Sequence, residues 1–190
     1  MKELKRSGGY TGHLLASGPM SRDAHEHSVL LVVSHSAELA IGLQINHAVP
    51  NQTIQDIAER IGIIMPGEDP LWYGGLKSQD RINIIHSTDW LSITSVKLTD
   101  DIAITNDISI LTAISQDSGP EQFRACAGFI SWPGYEIARM LKESNNNWEA
   151  VPATPDLVFG FQAGDNQWER VLEASARYQA EKWAVNLFLD

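Results

Sequence analysis

The sequence predicts an α+β fold in one compact domain, and three observations carry that prediction. First, apolar runs of strand length come in groups, as in 28–35 (SVLLVVSH) and 39–46 (LAIGLQIN). Second, helical patterns fall between the strand groups irregularly, which argues against a regular βαβ alternation. Third, 190 residues with 43% apolar and 20% charged side chains suit one domain with a sizeable core. No internal repeat or low-complexity segment divides the chain, so 1–190 is read as one domain, with 1–9 a flexible leader.

Taken in order, 13–17 reads as a first strand. The runs 28–35 and 39–46 then form a hairpin, joined by a short polar link. Thr53 can cap a helix over 53–61, with Asp56 completing a capping box and Ile54, Ile57, Ala58 and Ile61 on one face. Gly62 stops it. A short strand at 71–73 ends in Gly74-Gly75. Residues 81–86 alternate Ile82 and Ile84 with polar side chains, predicting a half-exposed strand. Further strands are expected at 93–98 and 102–105. Asp107 is expected to cap a helix through Ser115, with Ile108, Leu111 and Ile114 packed inward. Residues 123–132 read as a buried strand, and 136–143 as a helix. Strands are expected at 148–151 and 157–161, and the strongest helix at 167–182. The tail, 183–189, fits either strand or helix.

Charge narrows the function classes. Asp and Glu number 24 against 14 Lys and Arg, a net charge of −10. That field repels phosphate backbones and anionic membrane surfaces. The one basic cluster, Lys2, Lys5 and Arg6, reads as a solvated tail. No direct nucleic-acid or membrane binding is expected. The single cysteine, Cys126, excludes an intrachain disulfide and reads as a buried, inert thiol. No signal peptide or apolar membrane span is apparent, so a cytoplasmic location is expected.

Strong catalytic signatures are missing. There is no Walker loop, no G-x-G-x-x-G and no H-E-x-x-H, and Ser131 lacks the spacing of a nucleophile elbow. His25-Glu26-His27 has metal-like spacing on a strand but no companion ligands, so neither a metal nor another cofactor is expected. Gly74-Gly75 reads first as a tight turn. His35 and His86 close apolar strands, where an imidazole can meet solvent and act as a base.

Several segments, in order, resemble the YqgE/AlgH family of bacterial proteins. They are Leu14-Leu15-Ala16-Ser17-Gly18-Pro19, Asp23, Ser28-Val29, His35, Ala40-Ile41-Gly42 and Asn46. There follow Gly74-Gly75, Ile85-His86, Thr105-Asn106-Asp107, Gly128-Phe129-Ile130-Ser131-Trp132, Trp148, Pro152-Ala153, Phe159 and Trp168. The similarity runs from about Gly12 to about Leu172. It implies a compact fold of coiled, branching sheets and no established activity; some members carry a transcriptional-regulator label. Departures occur at Leu76, where the family has Pro after the glycines, and at Asn46-His47-Ala48, in place of Asn-Lys-Pro. In 135–140, two family carboxylates are replaced by Ala138 and Met140. The link from Asp23 to Ser28 is one residue short.

Two readings follow. One is a non-enzymatic binding or regulatory protein acting through a protein partner or small ligand, with no catalytic residue. The other is a small-molecule binder or enzyme with a cleft near His35, Asn46, Gly74, Gly75, His86 and Trp132. Pocket geometry distinguishes them.

Overall fold

The computed structural model describes residues 9–19, 26–142, 148–163 and 165–187. The chain runs β1 (His13–Ser17), β2 (Val29–His35), β3 (Leu39–Gln44), β4 (Ala48–Thr53), α1 (Ile54–Arg60), β5 (Pro70–Tyr73), β6 (Lys77–Ser87), β7 (Val96–Lys97), β8 (Ile102–Thr105), α2 (Ser109–Ser115), β9 (Phe123–Pro133), α3 (Glu136–Lys142), β10 (Trp148–Pro152), α4 (Pro155–Phe159) and α5 (Gln167–Leu187). Expectation and structure agree closely at β1, β2, β3, β5, β8, β9, α1, α3 and α5. Thr53 caps α1 through the predicted capping box with Asp56.

One path of ladders orders the strands β10-β1-β2-β3-β9-β6-β8-β7, and β5 joins β9 as a branch that also carries β4. All pairings are antiparallel except β5 with β9. The long β9 makes the branching possible. Its first half pairs with β6 and β5, and its last residues pair with β3. The change of partner falls at Gly128, whose φ is +73°. A strand that changes neighbours this way curls the sheet, giving the α+β fold of coiled, branching sheets.

Neighbouring residues on a strand point to opposite faces, and here both faces are covered. Leu14, Leu31 and Ile85 join Val171 of α5 in one cluster. Leu15 and Leu30 point the other way and join Ile137 and Met140 of α3. Ile84 packs with Ile54 of α1 and Ile110 of α2 in a third. This corrects the half-exposed strand expected at 81–86. Ile84, Ile85 and His86 are all buried, because β8 and β9 flank β6 and helices cover both faces.

Three further expectations are corrected, and one strand is added. The strand expected at 157–161 is the helix α4, started by Thr154, whose hydroxyl accepts from Leu157 N, and by Pro155 in the first turn. The strand expected at 93–98 shrinks to β7, because Ser92 to Ser95 form a hydrogen-bonded turn. Helix α2 starts after Ile108 with no side-chain cap bond there, and Asp107 Oδ1 accepts from Ser109 N instead. Its buried residues are Ile110 and Leu111, while Ile108 is exposed. Strand β4 is an addition: its sequence, AVPNQT, lacks strand periodicity, and Pro50 suits a strand at a sheet edge.

Residues 1–8 of the leader expected at 1–9, with the basic residues Lys2, Lys5 and Arg6, and His25 of the histidine pair lie outside the described residues. So does the last predicted residue of helix 136–143. Among the described residues, no helix is long and apolar enough to cross a membrane.

Candidate functional site

Strand β6 starts one residue beyond Gly74-Gly75, and this turn lies directly against β9. A Cβ on Gly74 would fall 2.5 Å from the Gly128 carbonyl oxygen, and one on Gly75 would strike the Phe129 backbone. Glycine is therefore required for the approach. Beyond the turn the two strands fall out of step. Lys77 pairs with Phe129 and Ile82 with Ala127, so five residue steps on β6 face two on β9. The surplus bulges outward, with Ser78 at φ +49°. Bulges of this kind re-aim side chains and recur beside functional sites.

The bulge overhangs a cavity of about 480 Å³. Leu71, Ile82 and Ala127 supply apolar surface from β5, β6 and β9. Helix α1 contributes Ile57, Arg60 and Ile61, and β4 contributes Val49 and Gln52. Tyr73, Gln79 and Asp80 complete the lining. The groove is apolar at its base and carries one cation, one anion, two amides and a phenol. Such a surface can hold an apolar group and orient a polar one. Its lining includes no serine, cysteine or histidine, so it offers binding without a nucleophile–base pair. Beside it, β4 pairs only with β5 among the described strands, which leaves a backbone edge next to Val49 and Gln52.

The six residues expected to share a cleft are distributed differently. His35 and Trp132 lie near one another, on the strands flanking Ala40. His35 Nε2 is 2.8 Å from the Gly134 carbonyl oxygen, and its ring lies 5.6 Å from Tyr10. Trp132 covers Gly42, where an added Cβ would meet the ring at 2.8 Å. Asn46 closes the base of the β2–β3 hairpin: Oδ1 accepts from Val29 N at 2.9 Å and Nδ2 donates to the His27 carbonyl at 2.7 Å. Gly74 and Gly75 shape the groove without lining it. His86 pairs with Phe123, at the opposite end of β9 from Trp132. Nine strand residues span about 30 Å along the chain. No single cleft gathers the six.

His86 nevertheless has an ordered setting. It is fully buried, and Nδ1 lies 2.8 Å from the Ser87 carbonyl oxygen and Nε2 3.3 Å from Ser95 Oγ. Burial holds its pKa below the ordinary imidazole value, against a smaller upward pull from its bond to Ser87 and from Asp89.

Sequence reasoning treated Arg124 only as a neighbour of Cys126. In the structure its guanidinium is buried and bonded to neutral acceptors: the Ile45 carbonyl, Gln167 Oε1 at 3.0 Å and the Phe161 carbonyl at 2.8 Å. It also stacks 3.9 Å over Trp72. Burial lowers its pKa to about 10, so it stays charged at neutral pH. Cys126 is fully buried, and burial pushes its thiol up to about 12. His27, the described member of the histidine pair, stacks 4.1 Å from Trp168.

Comparisons with known proteins agree with the fold. A UPF0301 protein from Allorhizobium ampelinum is 31% identical over 183 residues, 90% of this chain and 89% of that one. One from Bradyrhizobium diazoefficiens is 30% identical over 179 residues, 87% and 82% of the two chains. The solution structure of the AlgH protein from Pseudomonas aeruginosa superposes with a TM-score of 0.69 at 24% identity, covering 94% of this chain and 93% of that one. A crystal structure from Corynebacterium diphtheriae gives 0.69 at 17% identity, with 88% of each chain covered. At those identities the structural likeness speaks for the fold. The family profile described as AlgH-like matches residues 13–177, and the chain belongs to that family.

Proposed function

We propose that the chain is a cytoplasmic binding or regulatory protein that engages a protein partner or a small ligand through the groove between α1 and the β6 bulge. The observation that carries this reading is the groove itself: an apolar base with Arg60 and Asp80 in its lining and no nucleophile. Ile61, 47% exposed at the mouth, adds apolar surface available to a ligand. The regulator label borne by some relatives fits action through a protein, because the charge of −10 disfavours direct contact with nucleic acid.

The test places a photo-crosslinking residue at Gln79, in the groove, and separately at Leu39, an exposed position on β3. Gln79 is expected to capture a discrete partner, or a metabolite found by mass spectrometry. Ile61→Asp should reduce that capture at least tenfold, and Leu39 should capture neither. Equal capture from both positions, or capture indifferent to Ile61→Asp, would sink the reading.

A further inference from the structure

We propose that the groove between α1 and the β6 bulge holds a free α-amino acid with an apolar side chain. The inference rests on the groove being the binding surface, and it names the chemistry of what binds there.

The floor suits an apolar side chain. Tyr73 of β5 and Ile82 of β6 both pair with Ala127 of β9, so the three make one row across the sheet. All three line the groove. The small methyl group of Ala127 between two large side chains leaves a hollow in that row. The cavity, about 480 Å³, falls within the range of small-molecule sites, about 300–1,000 Å³.

The rest of the lining supplies both signs of charge. Arg60 comes from α1 and Asp80 from the bulge, so a cation and an anion reach the groove from different elements. Among the described residues, no ion pair joins them to each other or to another side chain. Asp56, four residues before Arg60, feels its charge, but the Asp56 carboxylate accepts from the Thr53 amide and hydroxyl. Two opposite charges in one groove that do not neutralise each other are complementary to a ligand bearing both. A carboxylate fits the guanidinium fork of Arg60, and an ammonium donates to the Asp80 carboxylate. Arg60 opposes a ligand that is only an amine. The net charge of −10 opposes one that is only an anion. A zwitterion meets neither penalty. An α-amino acid carries ammonium, carboxylate and apolar side chain on one carbon, which is the set of groups the groove complements.

The experiment titrates the full chain calorimetrically with L-leucine and L-phenylalanine. Two blocked probes are titrated beside them: N-acetyl-phenylalanine, which lacks the ammonium, and phenylalanine amide, which lacks the carboxylate. The expected result is saturable binding of one amino acid per chain, weakened at least tenfold by either blocking group. Arg60→Gln should weaken phenylalanine at least tenfold and leave the amide unchanged. Asp80→Asn should weaken phenylalanine equally and leave the N-acetyl probe unchanged. Ala127→Leu fills the hollow and should abolish binding. Should that variant fail to fold, the two charge variants decide, since Arg60 and Asp80 are exposed. No saturable binding of either amino acid at low millimolar concentration, or binding indifferent to Arg60→Gln and Asp80→Asn, would overturn the proposal. Ile61-dependent capture at Gln79 that neither amino acid displaces would overturn this inference alone and leave the groove reading standing. Capture indifferent to Ile61→Asp would take down both.

Discussion

Arg124 shows how one side chain can hold distant segments together. Its guanidinium reaches Ile45, the residue just after β3, the segment after α4 at Phe161, and the first residue of α5 at Gln167. Gln167 in turn donates to the Leu157 carbonyl at 2.7 Å, so the C-terminal helices are tied to β9 through one buried network. Replacing Arg124 with Ala leaves three acceptors without their donor. Each such loss costs about 1–3 kcal/mol when the group is buried. Arg124→Ala is therefore expected to lower the unfolding free energy by about 3–5 kcal/mol, measured by urea denaturation. A loss under about 1 kcal/mol would mean that the network relaxes around water. Nothing in Phe123-Arg124-Ala125 distinguishes this residue in sequence. A lone arginine in an apolar run is legible only as an anomaly, and its partners lie 37 to 79 residues away.

At the scale of elements, local chemistry set boundaries well wherever a cap or a turn was present. The Thr53–Asp56 capping box fixed α1, and the helix at 136–142 follows its apolar spacing. In α3, Ile137 and Met140 are buried against β9 and β10, with Leu141 packed beside them and Ala138 half-buried. Met140→Glu is expected to cost about 1–3 kcal/mol, the desolvation of a polar group without a partner. Ala138→Glu is expected to be nearly neutral. Thermal unfolding of the two variants tests this, and equal melting temperatures would show that the stripe is not buried in solution. Elements were misread where two signals competed. Leu157 to Phe161 looks like a strand by composition, yet Thr154-Pro155 starts a helix, and the start signal prevailed. Residues 92–95 carry β-branched side chains, but their hydroxyls satisfy the backbone locally and close a turn.

For the whole molecule, the net charge gives a prediction independent of any pocket. With −10 overall, the chain is expected to show no binding of random duplex DNA at physiological salt. A salt-sensitive, sub-micromolar shift in an electrophoretic assay would contradict this. The α+β class, most strands and the buried state of Cys126 were legible in sequence because they follow from local periodicity and from the cost of exposing apolar surface. The candidate site was not. The ordered glycine and polar positions suggested one cleft, but His35 with Trp132, Asn46, and His86 serve separate parts of the sheet. Only the Gly74-Gly75 turn borders the groove. The groove depends on a slip between β6 and β9, and the hydrogen bond between Ser95 and His86 depends on a turn folding back onto β6. Strand periodicity by itself determined which residues are apolar and which way they alternate. The partner of each strand, and the register at which it slips, were decided by long-range contacts between β9 and its neighbours in the tertiary structure.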